Sequence, residues 1–292
     1  MVPWLFPVLI SAAALGFYDI CKKHAVKDNS VMPVLFFSSC AGTLALVCCL
    51  ALRGELAAAF QATAAERGLL LLKSFMVGAS WVCVYYAMRD LPITLASPMR
   101  STSPLWTFFG GVLIFHEKLA PAQILAAAVI FAGYGLFSIC GKLEGFALRS
   151  RGMALIIAGT LLGAGCALYD KYLLGVLGIP RDRVQLHFMI GLVVLLGAAY
   201  LIRARCFGNR HVFKWRWSIP AIGLLLVLAD SVYFHALGLP DAPISLVSLL
   251  RRMSCVVSFG FGALCFGERR LGRKLAALAL FLVGIALLAL RR

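Results

Sequence analysis

The chain has 292 residues, of which 62% are hydrophobic and only 14% are charged, and its mean hydropathy is +0.93. A soluble chain carries about a quarter charged residues, so this composition excludes an ordinary water-soluble protein and indicates one that crosses a membrane many times. The net charge of +16 lies in short loops between apolar segments, where basic residues set topology and contact anionic lipid headgroups, so no nucleic-acid partner is expected.

Apolar stretches of about 20 residues predict ten membrane-spanning helices joined by short charged connections. In chain order the predicted spans are Val2–Cys21, Met32–Leu52, Gly68–Met88, Ile93–Phe115, Ala120–Cys140, Met153–Leu174, Val184–Ile202, Trp217–Leu239, Ile244–Phe266 and Lys274–Leu290. The first span has no basic leader before it, so no cleavable signal peptide is predicted.

The ten cysteines lie mostly inside these spans. They form no Cys-x-x-Cys pair, and no histidines stand at zinc spacing. We interpret them as small buried hydrophobic residues and expect neither a metal nor a cofactor.

The chain contains a duplication. Residues 90–117 match residues 241–268 at an offset of 151 without a gap, with twelve of 28 positions identical. The same offset pairs Tyr18-Asp19 with Tyr169-Asp170 and Gly133 with Gly284. Residues 1–141 and 152–292 are therefore predicted to be two five-span repeats. Because five is an odd number, the second repeat enters the membrane upside down, as in secondary transporters with a site at the repeat interface.

Each repeat places an arginine at the equivalent position inside a span, Arg100 in the fourth and Arg251 in the ninth, on a helix face that also carries hydroxyl groups. A charge at that depth costs at least about 2.5 kcal/mol if it faces lipid. Solute binding, structural ion pairing and snorkelling to the interface are the three interpretations. The equivalent position in both repeats favours the first.

Asp230 lies near the middle of the eighth span, with Arg100, Arg251 or Lys73 as possible counter-charges. It could relay a proton or only neutralise an arginine. Aromatic residues of the third span could line a cavity, whereas the Tyr-Asp dipeptides are interpreted as interfacial anchors or, less favoured, a gate. The candidate solute-binding residues are Arg100, Arg251, Ser97, Ser248, Ser103, Ser254, Trp81, Tyr85 and Asp230.

No nucleophile elbow, phosphate-binding glycine loop or paired metal ligand is present in the sequence, so no catalytic residue is assigned and the chain is not expected to be an enzyme. Glu117 and Glu268 are predicted to close the ends of the fourth and ninth spans.

Both repeats end in one pattern, which is Pro92, Ser97, Gly111, Leu113, Phe115, Glu117 and Gly133 in the first and Pro243, Ser248, Gly262, Leu264, Phe266, Glu268 and Gly284 in the second. The pattern resembles the EamA-type drug/metabolite transporter superfamily. That resemblance implies an all-helical membrane fold of ten helices around a central cavity lined by the third, fourth, eighth and ninth helices, among others. The Arg251-Arg252 pair is similar to the basic pair of the organophosphate branch, although the remainder of the chain does not resemble that branch.

The sequence thus predicts a secondary transporter of a small polar organic solute, anionic or zwitterionic, in a bacterial inner membrane. Membrane lipids and a second copy of the chain are its expected partners. The alternatives are an exporter of organic cations or drugs, and an integral-membrane enzyme or assembly subunit acting on lipid headgroups.

Orientation stays open at this stage. Loops on the side away from the termini carry sixteen Lys/Arg, and the other side carries seven: Arg53, Arg67, Lys118, Arg181, Arg183, Arg291 and Arg292. This count places the termini outside the cytoplasm, whereas the resemblance implies that they are cytoplasmic.

Overall fold

The computed structural model describes residues 3–26, 29–90, 100, 102–141, 151–207, 213–239, 241–251, 253–254, 257, 279–280, 283–284 and 287. Every regular element in these residues is helical. The helices are α1 Leu5–Val26, α2 Val31–Leu52, α3 Leu56–Phe60, α4 Ala64–Asp90, α5 Ser103–Phe115, α6 Pro121–Gly141, α7 Arg151–Lys171, α8 Arg181–Phe207, α9 Ser218–Leu237 and α10 Ile244–Arg251, with a π-helical turn at Tyr172–Val176 after α7.

Six of the described helices are long and apolar enough to cross a membrane. They are α1, α2, α4, α7 with its π-helical turn, α8 and α9, and they coincide with the predicted first, second, third, sixth, seventh and eighth spans. Shorter apolar helices, α5 and α6, occupy the predicted fourth and fifth spans, and α10 begins the ninth. Most of the predicted tenth span lies outside the described residues. The chain is an all-helical integral membrane protein.

The start of α4 shows how a local signal sets a helix boundary. Thr63 N donates to Glu66 Oε2 at 2.8 Å, and Glu66 N donates to Thr63 Oγ1 at 3.2 Å. This reciprocal pair is a capping box, which supplies partners for backbone donors at a helix start. The helix therefore begins at Ala64, four residues before the predicted Gly68, and the Thr-x-x-Glu signal was present in the sequence.

Long-range polar contacts define the two ends of the helix bundle. At the first, which we call end A, Arg183 Nη1 donates to Glu66 Oε1 at 3.0 Å, and the Tyr169 hydroxyl donates to Leu69 O at 3.2 Å. End A therefore collects the beginnings of α4 and α8 and the C-terminal part of α7.

Asn29 and its neighbours mark the opposite end, which we call end B. The Asn29 side chain donates from Nδ2 to Lys214 O at 2.7 Å and accepts from Lys214 N at 2.9 Å. His24 Nδ1 lies 3.0 Å from Ser218 Oγ. End B thus joins the end of α1 to the start of α9.

Pairs of helices that the 151-residue sequence offset relates to one another form equivalent interfaces. In the described residues α1 packs most extensively on α9, and α4 packs most extensively on α7. The offset relates α1 to α7 and α4 to α9, so these two interfaces are equivalent under the sequence repeat. The same holds for α2 on α9 and α8 on α4. Where α2 meets α9 the backbones touch, because a Cβ on Gly42 would lie 2.9 Å from Gly223 O.

Candidate functional site

A cavity of about 230 Å³ lies at the centre of the bundle, among α1, α4, α5, α7, α9 and α10. Residues from both halves of the sequence contribute to its wall. Among the described residues, its lining carries four cationic side chains and two carboxylates: Lys22, Lys73, Arg100, Arg251, Asp170 and Asp230. The cavity is therefore a polar chamber with an excess of positive charge.

Eight of the nine candidate solute-binding residues line this cavity: Arg100, Arg251, Ser248, Ser103, Ser254, Trp81, Tyr85 and Asp230. The ninth, Ser97, lies outside the described residues, as does Arg252. The third, fourth, eighth and ninth spans all reach the cavity, and the first and sixth add to them.

Arg251 on α10 pairs with Asp230 on α9. Its Nη2 donates to Asp230 Oδ1, and the guanidinium carbon lies 3.9 Å from the centre of the Tyr233 ring. Of the three counter-charges considered for Asp230, the structure thus selects Arg251. Two buried donors beside this pair, Arg251 Nε and the Tyr233 hydroxyl, have no hydrogen-bond partner in the described part of the chain. Leaving a buried donor unpaired costs about 1–3 kcal/mol, which an acceptor on a bound solute would relieve.

Two neighbouring helices fix the rotation of α9 that turns Asp230 inward. Ser11 on α1 donates to Ala229 O at 2.7 Å, and Gln185 on α8 donates from Nε2 to Val227 O at 3.1 Å. Both polar side chains are buried. Such contacts to a helix backbone specify its orientation better than apolar packing alone.

A second buried ion pair joins Lys73 on α4 to Asp170 on α7. The Lys73 ammonium also lies 4.7 Å from the Phe188 ring centre and 4.9 Å from that of Phe234. Asp170 is only 5% exposed, so the interpretation of this residue as an interfacial anchor is wrong. The sequence analysis treated Lys73 as a counter-charge of Asp230. The repeated Tyr-Asp dipeptide was the signal for Asp170, but it did not identify its partner.

Lys22 reaches the cavity although it follows the predicted end of the first span at Cys21. Because α1 continues to Val26, the Lys22 side chain lies within the bundle, with Nζ 3.0 Å from Asp19 Oδ1. The same ammonium lies 4.7 Å from the Tyr18 ring centre and 5.3 Å from that of Tyr85. Aromatic faces therefore solvate this third cation, as they do Lys73 and Arg251.

Arg100 differs from the other three cations. It lines the cavity together with Tyr18 and Tyr85. No described carboxylate lies within salt-bridge distance of its guanidinium.

Some hydroxyl groups on the arginine-bearing faces of the fourth and ninth spans donate hydrogen bonds to the backbone of their own helices. Thr107 donates to Ser103 O at 3.2 Å, and Ser248 donates to Ser245 O at 3.1 Å. Their oxygens then act toward the cavity as acceptors. No group of three or more metal-ligating side chains comes together within the described ranges.

Glu117 does not close its own span as the sequence analysis expected. Its Oε1 accepts from Ile244 N at 2.6 Å, and its Oε2 accepts from Ser245 Oγ at 2.6 Å. The carboxylate therefore caps α10, the helix of the other repeat that carries Arg251. The partner of Glu268 lies outside the described residues.

Known proteins resemble this chain in sequence and in fold. The EamA-like transporter family matches residues 2–139. Protein RarD of Streptomyces exfoliatus is 24% identical over 222 residues, which cover 76% of this chain and 67% of that protein. Solute carrier family 35 member E4 of Homo sapiens is 26% identical over 223 residues, covering 75% of this chain and 61% of the human protein, which is less than two thirds of its length.

A solved crystal structure with 15% sequence identity superposes with a TM-score of 0.73, covering 99% of this chain and 96% of that one. At this identity the superposition shows a shared fold and nothing about activity. The sequence matches add a likeness to a transporter family: residues 2–139 match the EamA-like transporter family, and the two relatives belong to the drug/metabolite transporter superfamily.

Proposed function

We propose that this protein is a secondary transporter that moves a small organic anion or zwitterion by alternating access. The observation that carries the proposal is the charge of the central cavity. Among the described residues, Lys22, Lys73 and Arg251 each pair with a carboxylate, and Arg100 adds a further positive charge. In a water-poor chamber an uncompensated positive charge is unfavourable, so the site favours a solute that brings a carboxylate or a phosphate.

Two features of the cavity wall support an anion in particular. Arg100 has no carboxylate partner among the described residues, and Arg251 keeps Nε unpaired while Nη2 binds Asp230. Arginine presents a planar fork that binds a carboxylate or phosphate bidentately. We therefore assign the anion contacts to Arg100 and Arg251, one from each repeat, with the hydroxyls of Ser103, Ser248 and Ser254 around them.

Alternating access needs two units that can rock against one another. The offset-related packing of α1 on α9 and α4 on α7 supports two inverted five-helix repeats, residues 1–141 and 152–292, in a ten-helix membrane fold. The cavity of about 230 Å³ is smaller than the 300–1,000 Å³ typical of drug-sized ligands, which favours a small metabolite.

Export of an organic cation is the principal alternative. Asp230 and Asp170 with the surrounding aromatic rings would bind it, but both carboxylates already pair with Arg251 and Lys73. A cation would also meet Lys22 and Arg100. The excess of positive charge thus disfavours the binding of an organic cation, including a cationic drug.

Counter-flow in liposomes tests the proposal. Purified protein is reconstituted, loaded with unlabelled solutes grouped by charge, and supplied with trace labelled carboxylates, phosphates, zwitterions or cations. We expect saturable exchange of an anionic or zwitterionic solute. Exchange of cations alone would support the exporter alternative, and leak with the whole panel and with an extract of the native membrane would refute transport.

We further propose that the protein lies in the inner membrane of a bacterium, where its basic loops contact anionic lipids. A second copy of the chain is a further candidate partner. Cross-linking in native membranes tests whether two copies of the chain associate.

A further inference from the structure

The carboxylate of Glu117 makes three hydrogen bonds to the start of α10. Oε1 accepts from Ile244 N at 2.6 Å, whereas Oε2 accepts from Ser245 Oγ at 2.6 Å and from Ser245 N at 3.3 Å. The first amides of a helix have no partner within the helix, and the helix dipole favours a negative charge there. The contact joins the first repeat to the second.

The local sequence builds a place for this carboxylate. His116 adopts the left-handed conformation at φ 52°, which ends α5 and turns the chain toward α10. A Cβ on Gly111 would lie 2.8 Å from Glu117 Oε2 and 3.1 Å from Ile244 Cγ2. Glycine at 111 therefore leaves the space that the cap occupies.

The contact lies in the most thoroughly packed part of end A. One hydrophobic cluster there joins residues of α1, α4, α6, α9 and α10, and both Ile244 and Ser245 are fully buried. The hydrogen bonds of Tyr169 to Leu69 O and of Arg183 to Glu66 at this end also join the two repeats. End A is thus closed by contacts that cross between the repeats.

Toward end B the described core residues belong to three clusters. One joins α1, α2 and α9, one joins α4 and α7, and one joins α2 with α4, α7 and α8. Helices of both repeats are therefore packed together at this end as well.

We infer that Glu117 is a latch that holds end A closed and positions α10, with Ser248 and Arg251, against the cavity. The inference rests on the proposed alternating access. Opening end A requires the end of α5 and the start of α10 to separate, because they form the cross-repeat contact there. Glu117 then shifts the equilibrium between the closed and open forms of end A toward the closed form.

Hydrogen–deuterium exchange of the purified full chain, without solute, tests the latch through Glu117→Ala. We expect exchange at residues 244–248 to rise roughly five- to thirtyfold, as for the loss of a helix N-cap. In an alternating protein, opening of end A closes end B, so exchange at residues 18–26 and 219–226 should fall. Glu117→Gln keeps a carbonyl acceptor for Ile244 N and should lie between wild type and alanine.

Glu55→Ala is the matched control, because Glu55 is an acid at end A whose carboxylate pairs locally with Arg53. It should change neither region. If Glu117→Ala unfolds, Gly111→Ala supplies the second variant, since its methyl group displaces the carboxylate while the charge stays.

A rise confined to residues 244–248, with end B unchanged, would show a simple helix cap and overturn the latch, as would no change anywhere. Failure of the proposed function is distinct: the wild-type protein would then give no counter-flow, whatever the exchange pattern of the variants.

Discussion

Because Arg251 and Asp230 form a buried ion pair, replacing both side chains should destabilise the protein less than the sum of the two single replacements. Side-chain exposure is 21% for Arg251 and 10% for Asp230, so either partner left alone is a mostly buried charge. Removing one partner of a buried pair costs about 3–5 kcal/mol. Arg251→Gln and Asp230→Asn should each lose stability of this order, whereas the double variant buries two neutral amides and should be less destabilised than the sum by about 2–3 kcal/mol.

Thermal unfolding of the four proteins in one detergent measures this cycle. At about 2–4 °C per kcal/mol, each single variant should unfold on the order of 10 °C below wild type. Arg53→Gln is the control, because its pair with Glu55 is 43% and 44% exposed and an accessible pair contributes about 1 kcal/mol or less. Additive single effects would refute the reasoning, since they would mean that Arg251 and Asp230 do not depend on one another.

Three further outcomes are expected. Arg100→Gln should weaken solute binding roughly ten- to a hundredfold in equilibrium titrations, because about 1.5–3 kcal/mol of binding free energy is lost, and it should change the unfolding temperature little. Arg100→Lys should restore only part of the lost affinity. Asp230→Asn should abolish uptake driven by a pH gradient but keep solute exchange if Asp230 relays protons; unchanged gradient-driven uptake would leave it a counter-charge. Gly223→Ala should lose about 1–3 kcal/mol of stability because its Cβ overlaps Ser38 O, whereas Gly78→Ala, with its nearest contact at 3.5 Å, should be tolerated.

Hydropathy predicted the six spans that the described residues show as membrane-length helices, because burial in a bilayer imposes a length and a composition on each helix. It could not predict partners. Asp230 had three possible counter-charges in the sequence, and the choice of Arg251 depends on the rotations of α9 and α10, which tertiary contacts from Ser11 and Gln185 help to fix.

Charges at span ends were the weakest part of the sequence analysis. Lys22 lies just beyond the predicted end of its span and Asp170 was interpreted as an interfacial anchor, yet both line the cavity, and α1 continues past its predicted boundary to Val26. Glu117 was assigned to its own span for the same reason, since the contact that it makes is 127 residues away in sequence. The capping box at Thr63 is different, because a readable local pattern was overlooked there.

The cross-wise packing of α1 on α9 and of α4 on α7 has a consequence for how the chain assembles. Among the described residues, neither half holds the principal neighbours of its own first and third spans, so a half synthesised alone exposes faces that the other half covers. The first half therefore lacks these neighbours in the membrane until the second half has been inserted. We therefore expect the halves, expressed as separate polypeptides, to find each other and co-purify.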